Sequence, residues 1–135
     1  MSETPSEEIS VLIVEQEPAV LILLSSMLES NGFRVLLARS AEEATEIASR
    51  PYVPIHVLLS DVEFVAGSGP LLIDTLRAER PKLGVVYIST LVDASAIRIR
   101  VMRQVGPRYF AQETQASLVE AVRHAVASPR LQAGA

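Results

Sequence analysis

Short runs of aliphatic residues alternate along the chain with longer stretches in which apolar residues recur every three or four positions. Runs of four or five β-branched and aliphatic residues are typical of strands buried on both faces of a parallel sheet. This pattern predicts five strands, at Ser10 to Val14, Arg34 to Ala38, His56 to Ser60, Gly84 to Ile88 and, more weakly, Tyr109 to Ala111.

The longer stretches predict helices, because their apolar residues fall on one stripe at helical spacing. Gly32 is placed to cap the first helix, and Ser40 with Glu43 forms a capping box at the start of the second. The five predicted helices are Pro18 to Asn31, the segment after Ser40 through Arg50, Pro70 to Glu79, Asp93 or Ala94 to Val105, and Gln115 to Ala127.

Strands that alternate with helices imply a doubly wound α/β domain, with parallel pairing and helices on both faces of the sheet. The 135 residues suffice for one such domain with a real core. We expect the domain to span residues 9–127, between a flexible N-terminal tail at 1–8 and a C-terminal tail at 128–135.

Composition narrows the classes of function. Hydrophobic residues make up 49% of the chain, but every apolar run stops well short of the roughly 20 residues of a membrane-spanning helix. The acidic start, residues 1–8, shows no secretory signal, so the expected location is the cytoplasm. Cysteine is absent, which excludes disulfides and thiolate metal sites. The net charge of −4 and the lack of a basic cluster argue against nucleic-acid binding.

Two of the predicted strands end on acids. The run from Val11 to Val14 stops at Glu15, and the run from Val57 to Leu59 leads through Ser60 to Asp61. Ligands of open α/β sheets bind beyond the carboxyl ends of the strands. We therefore expect Glu15 and Asp61 to meet at a site on that edge.

Three stretches in register resemble a response-regulator receiver domain of bacterial two-component signalling: VLIVEQEP from Val11, LLSDVEF from Leu58 with GSGP from Gly67, and VVYIST from Val85. The resemblance covers Ile9 to Ala127. It implies a flavodoxin-like (βα)5 fold with a five-stranded parallel sheet of order 2-1-3-4-5. It also implies a phosphoacceptor signalling domain rather than an enzyme, with a histidine kinase or phosphotransfer protein as donor and a downstream protein partner.

The resemblance assigns roles to five residues. Asp61 stands where receivers accept the phosphoryl group. Glu15, Asp61 and the backbone carbonyl of Glu63 match the ligands of the family's Mg²⁺ ion. Ser89 matches the hydroxyl that bonds the phosphoryl group, and Tyr109 the aromatic residue that changes rotamer with it.

The sequence departs from the family at several of these positions. Receivers usually have two acids after the first strand, but this chain has Glu15 and Gln16. The fifth strand usually ends in Lys-Pro, and here Gln112 stands in place of the lysine. A neutral amide forms weaker bonds to a phosphoryl group than an ammonium does. Val65 replaces a common proline, which loosens the loop. We expect weak Mg²⁺ binding, and slow phosphorylation of Asp61 or none.

Two other functions stay open. A pseudo-receiver would bind its partner regardless of phosphate, and the fourth helix, fifth strand and fifth helix would offer a docking or homodimer surface carrying Arg98, Arg100, Arg103 and Tyr109. A flavodoxin-like domain that binds a nucleotide or another small molecule is less favoured, because no Gly-rich loop follows the first strand.

Several candidate residues also have plain structural interpretations. Ser89 can satisfy the backbone at a strand end, Tyr109 can be a half-buried strand aromatic, and the Glu63 side chain can be a solvated loop carboxylate. His56 and His124 match no metal-ligand spacing and are expected at a strand start and on a helix surface.

Overall fold

The computed structural model describes residues 8–61, 69–92, 97–102, 109–110 and 115–127. Within these residues no helix has the length and apolar character needed to span a membrane. The elements in chain order are β1 (Ser10–Val14), α1 (Pro18–Glu29), β2 (Arg34–Ala38), α2 (Ala41–Ala48), β3 (Val57–Asp61), α3 (Gly69–Glu79), β4 (Gly84–Val92), β5 (Ile97–Met102), β6 (Tyr109–Phe110) and α4 (Gln115–Ala127).

One sheet runs through the described residues in the order β2-β1-β3-β4-β5-β6. Its first four strands are parallel, as predicted, because each is an aliphatic run that can be covered on both faces. The register pairs Val14 of β1 with Ser60 of β3, and Asp61 with Ile88 of β4. The carboxyl ends of β1 and β3 therefore lie side by side, and β3 ends beside Ile88 of β4, which continues to Val92.

The far side of the sheet differs from the prediction. Ile97–Met102, predicted within a fourth helix, is strand β5 and pairs antiparallel with an extended β4. The predicted fifth strand is β6, which pairs antiparallel with β5 instead of lying beside β4. The expectation of a five-stranded, all-parallel sheet of order 2-1-3-4-5 was therefore wrong beyond β4.

The physical reason lies in the composition of that segment. Ile97, Ile99 and Val101 alternate with arginines, which is a period of two, and β-branched residues favour strands over helices. Ile97 and Val101 are also four residues apart, which fits one stripe of a helix. A segment this short is therefore compatible with either a strand or a helix. Without the fourth helix, the predicted docking and homodimer surface does not exist in the form expected.

Helices cover both faces of the sheet, as predicted, and each face has its own buried cluster. The cluster under α1 and α4 and the cluster under α2 and α3 share no buried residue, because alternate residues of each strand point to opposite faces. Helix residues in the first cluster include Leu24, Leu28, Leu118 and Val122, and those in the second include Ala44, Ala48, Leu72 and Leu76.

The predicted helix caps at the first two helices are present. Gly32 has a φ of 88°, and the N–H of Phe33 donates to the Leu28 carbonyl at 3.1 Å, as in a glycine-based helix end. At the start of α2, the Ser40 Oγ accepts a hydrogen bond from the N–H of Glu43 at 3.1 Å. Both helices end two residues earlier than predicted, at Glu29 and Ala48.

His56 joins three strands at their amino ends. Its N–H donates to the Ser10 carbonyl at 2.9 Å, and the N–H of Gly84 donates to its carbonyl at 3.0 Å. In addition, the N–H of Ser10 donates to the His56 Nδ1 at 2.9 Å. His56 thus stands at the start of β3, as expected, and its ring satisfies a backbone donor that β1 leaves open.

Gly84 allows α4 to approach β4 closely, and this contact gives a first prediction. A Cβ at Gly84 would lie 2.7 Å from the carbonyl oxygen of Ala125 and 2.9 Å from its Cβ. Gly84→Ala should therefore lower the free energy of unfolding by about 1–3 kcal/mol in urea titrations. Glu42→Ala, at an exposed position of α2, is the control. A Gly84→Ala protein within about 0.5 kcal/mol of the wild type would contradict this packing.

Candidate functional site

The strand register brings Glu15 and Asp61 together at the carboxyl edge. Val14 and Ser60 are partners in β1 and β3, so the next residue along each strand is Glu15 and Asp61. The N–H of Glu15 donates to the Ala38 carbonyl at 3.0 Å, which continues the pairing of β1 with β2 by one residue. Glu15 is thereby held in strand-like geometry directly beside the strand that ends on Asp61.

The side chain of Glu15 is buried, with 5% of the residue exposed. Its Oε2 accepts a hydrogen bond from the N–H of Glu17 at 2.9 Å. Its Oε1 is buried, and no hydrogen-bond donor reaches it from the part of the chain that the structure describes. A buried carboxylate oxygen without a donor carries a desolvation cost, so this atom is better satisfied by a proton or by a cation.

Several causes act on the pKa of Glu15, and together they raise it. Burial is the largest cause, and the negative charges of Asp61 and Glu17 add to it. A side-chain hydrogen bond with Asp61 raises the pKa further, while the bond from the N–H of Glu17 lowers it. The protonated carboxyl of Glu15 can donate to Asp61, which the carboxylate form cannot do. Asp61 thus disfavours negative charge on Glu15.

The pair has the donor chemistry of a site for Mg²⁺. Two carboxylates meet at one edge, and one of their oxygens is buried without a donor from the described residues. Mg²⁺ is usually held by one or two carboxylates, with water and phosphate oxygens completing an octahedron. The residues present therefore fit the ion in type and number. No cluster of three potential ligands from His, Cys, Asp or Glu occurs in the described ranges.

The other predicted site residues are only partly located. Ser89 lies in β4, one position beyond Ile88, the partner of Asp61, and its antiparallel partner in β5 is Arg100. Tyr109 begins β6, which β5 separates from β4, so the structure does not place these two strands side by side. Glu63 and Gln112 lie outside the described residues.

Sequence reasoning did not identify two features of this edge. The first is the hydrogen bond from the N–H of Glu17, which fixes the rotamer of Glu15. Its only signal in the sequence is an acid two residues before Glu17, the N-cap residue of α1. The second is the position of Arg100 opposite Ser89, which depends on the pairing of β4 with β5. The prediction of a helix over residues 97–102 excluded this pairing.

Comparisons with known proteins identify a family that the sequence matches. The family model for the response regulator receiver domain matches residues 11–123. Sensor kinase CckA of Brucella abortus (strain 2308) is 34% identical over 80 residues, which are 59% of this chain and 8% of that kinase. The chain thus corresponds to a small part of this relative.

Solved structures show the same fold. The receiver domain from hybrid histidine kinase CckA superposes with a TM-score of 0.61 at 25% identity, over 87% of this chain and 98% of the other. A response regulator receiver protein from Sinorhizobium medicae WSM419 gives a TM-score of 0.66 at 21% identity, over 91% of this chain and 98% of the other.

The raised pKa of Glu15 predicts how stability depends on pH. The folded protein retains this proton to higher pH than the unfolded chain, whose glutamate has the ordinary pKa of 4.5. Stability should therefore fall as the pH rises above about 4.5, and this loss should disappear in Glu15→Gln. We expect Glu15→Gln to be more stable than the wild type at pH 7 and to approach it near pH 4, in urea titrations with chelator present.

Glu46→Gln serves as the control, because it removes an exposed acid from α2. The difference in the free energy of unfolding between Glu46→Gln and the wild type should change little with pH. A Glu15→Gln protein that is less stable than the wild type at pH 7, or that differs from it equally at all pH values, would contradict the coupling of Glu15 with Asp61.

Proposed function

The chain belongs to the response regulator receiver domain family, and from this premise we propose that Asp61 accepts a phosphoryl group from a histidine kinase or phosphotransfer protein. The observation that carries the proposal is the position of Asp61 beside the buried carboxyl of Glu15, whose Oε1 receives no hydrogen-bond donor from the described residues. Two adjacent acids at the carboxyl edge form the negative half of a site that a cation and a phosphoryl group would complete.

The reaction requires a carboxylate that can reach the donor. Asp61 ends β3 at the open edge of the sheet and is only partly buried. One of its oxygens attacks the phosphorus atom of a phosphohistidine; an O–P bond forms, the P–N bond breaks, and its electron pair goes to the imidazole nitrogen. The products are an aspartyl phosphate and a free histidine on the donor protein.

Neighbouring residues would orient the phosphoryl group. Mg²⁺, when bound, offsets the repulsion between the attacking carboxylate and the phosphoryl oxygens. Glu15 and Asp61 would hold it, together with the backbone carbonyl of Glu63. Ser89 would donate a hydrogen bond to the phosphoryl group, and the uncharged amide of Gln112 would donate a second one. Tyr109 would change its rotamer when the phosphoryl group is attached.

The chain has no lysine that can replace the one missing at position 112. Its only lysine is Lys82, which precedes β4 at the opposite edge of the sheet. The phosphoryl group would therefore be held without an ammonium, by weaker neutral hydrogen bonds at this position. We expect the signal to pass to a downstream protein partner through a short-lived phosphorylated form.

A pseudo-receiver is the second candidate function, and the raised pKa of Glu15 favours it. A buried acid with a raised pKa can satisfy its neighbour with a proton and so dispense with a metal ion. Such a domain would bind its partner regardless of phosphate. A docking or homodimer surface that includes β6 and α4 stays a proposal, although β5 replaces the fourth helix expected there.

Phosphorylation of Asp61 can be tested by intact-mass spectrometry. After incubation with acetyl phosphate and Mg²⁺, we expect an added mass of one phosphoryl group that is absent in Asp61→Asn. Asp74→Asn, which changes an exposed aspartate of α3, is the matched control and should retain the adduct. An adduct that persists in Asp61→Asn would place the acceptor elsewhere, and no adduct in any protein would favour the pseudo-receiver.

The loss of one acid predicts weak metal binding. Calorimetry should give Mg²⁺ affinity weaker than micromolar for the wild type. Gln16→Asp restores the second acid and should tighten binding by about tenfold, corresponding to about 1.4 kcal/mol. Ser49→Asp adds the same charge at an exposed position far from the site and should have little effect. Micromolar affinity in the wild type would refute the idea that Gln16 weakens the site.

A further inference from the structure

A second concave site lies at the amino edge of the sheet. It is a cavity of about 440 Å³ whose walls include Ile55, Leu83 and Val126, with Pro81 at its rim. His56 at the start of β3 also lines it. Since β3 runs from this end to Asp61, the two sites are separated by about 17 Å, the length of a five-residue strand. Binding here does not require access to the carboxyl edge.

The charge around this cavity is opposite in sign to that of the whole chain. Lys82, which is exposed, and Arg80 both line it, and among the described residues no acid lines it. The net charge of the chain is −4, so this is a local excess of positive charge. Such a patch beside apolar walls is complementary to an apolar side chain flanked by carboxylates.

The charge of Arg80 is fixed in position rather than neutralised. Its Nη1 donates to the Val53 carbonyl at 2.8 Å, and its Nη2 donates to the carbonyls of Ala48 and Arg50 at 3.0 and 3.1 Å. These acceptors are neutral, and no acid in the described ranges forms an ion pair with Arg80. The guanidinium thus retains its full charge beside the cavity.

His56 supplies a hydrogen-bond donor to the same cavity. Its Nδ1 accepts a hydrogen bond from the N–H of Ser10, so Nε2 is the ring nitrogen that carries a hydrogen. With Lys82, this gives the cavity two donors that suit carboxylate oxygens.

A loop that Arg80 holds in place carries an exposed aromatic residue outside the cavity. Tyr52, in the loop from 49 to 54, is 78% exposed and lies next to Val53, whose carbonyl Arg80 binds. Exposed tyrosines on well-held backbone are frequent anchors of protein interfaces. The surface is therefore larger than a small ligand needs, which favours a protein segment.

We propose that this amino-edge cavity docks an acidic, aliphatic segment of a partner protein. One aliphatic side chain of the segment enters between Ile55, Leu83 and Val126, and flanking carboxylates meet Lys82 and the Nε2–H of His56. The contact goes beyond the phosphoacceptor function and is independent of the state of Asp61.

Peptide display tests the proposal without knowledge of the partner. Random peptides are selected on the wild-type protein, and the recovered peptides are measured by calorimetry against Lys82→Glu. We expect an aliphatic residue flanked by Asp or Glu in the selected peptides, and binding at least about tenfold weaker to Lys82→Glu. Arg39→Glu makes the same charge change at an exposed position away from the cavity and should bind as the wild type does.

The single lysine gives a direct readout of the site. Reductive methylation with ¹³C-formaldehyde labels Lys82 and, apart from it, only the N-terminal amine, and it preserves the charge. A selected peptide should shift the Lys82 methyl resonance. The proposal is overturned if the selection yields no binder, if selected peptides lack acids, if Lys82→Glu does not weaken binding, or if the Lys82 resonance does not move. Acetyl phosphate labelling distinguishes a failure of this proposal from a failure of the phosphoacceptor function. Lys82→Glu should be labelled on Asp61 to the same extent as the wild type, because Lys82 lies at the opposite edge of the sheet.

Discussion

The parallel pairing of β1 with β3 is the constraint on which the rest of the site depends. Its register sets Val14 opposite Ser60, and therefore brings Glu15 beside Asp61 where both strands end. Both strands are apolar and buried from Val11 to Val14 and from Val57 to Leu59. A shift of one residue would place these side chains on the wrong faces of the sheet, so the core that stabilises the domain also fixes the two acids.

This proximity has an electrostatic cost that determines how the site can work. The buried Oε1 of Glu15 receives no donor from the described residues, and Asp61 adds a second negative charge. A cation relieves both problems, and so does a proton on Glu15. The choice between a metal-dependent phosphoacceptor and a proton-stabilised interaction module is thus a competition at a single oxygen atom. We expect Gln16 and Gln112 to influence this competition. Gln16 stands where receivers usually have a second acid, and Gln112 stands where they usually have a lysine.

Local patterns predicted the part of the molecule that short-range rules determine. The buried aliphatic runs gave the four parallel strands, and Gly32 and Ser40 marked a helix end and a helix start. The segment from Ile97 to Met102 was assigned incorrectly because its short alternation of β-branched residues and arginines satisfies both periods, and only pairing with β4 decides between them. The contacts of Arg80 and His56 join residues 27 to 46 positions apart, so no local pattern indicates them.

The two edges of the sheet divide the chemistry of the chain between them. Glu15 and Asp61 lie together at the carboxyl edge, whereas Lys82, Arg80 and His56 line a cavity at the amino edge. We propose that Glu15 and Asp61 bind one cation together at the carboxyl edge. A crystal structure grown with Mn²⁺ in place of Mg²⁺ tests it most directly. We predict an anomalous difference peak within coordination distance of both Glu15 Oε1 and an Asp61 oxygen. A peak at other acids only, or none at saturating Mn²⁺, would contradict the account.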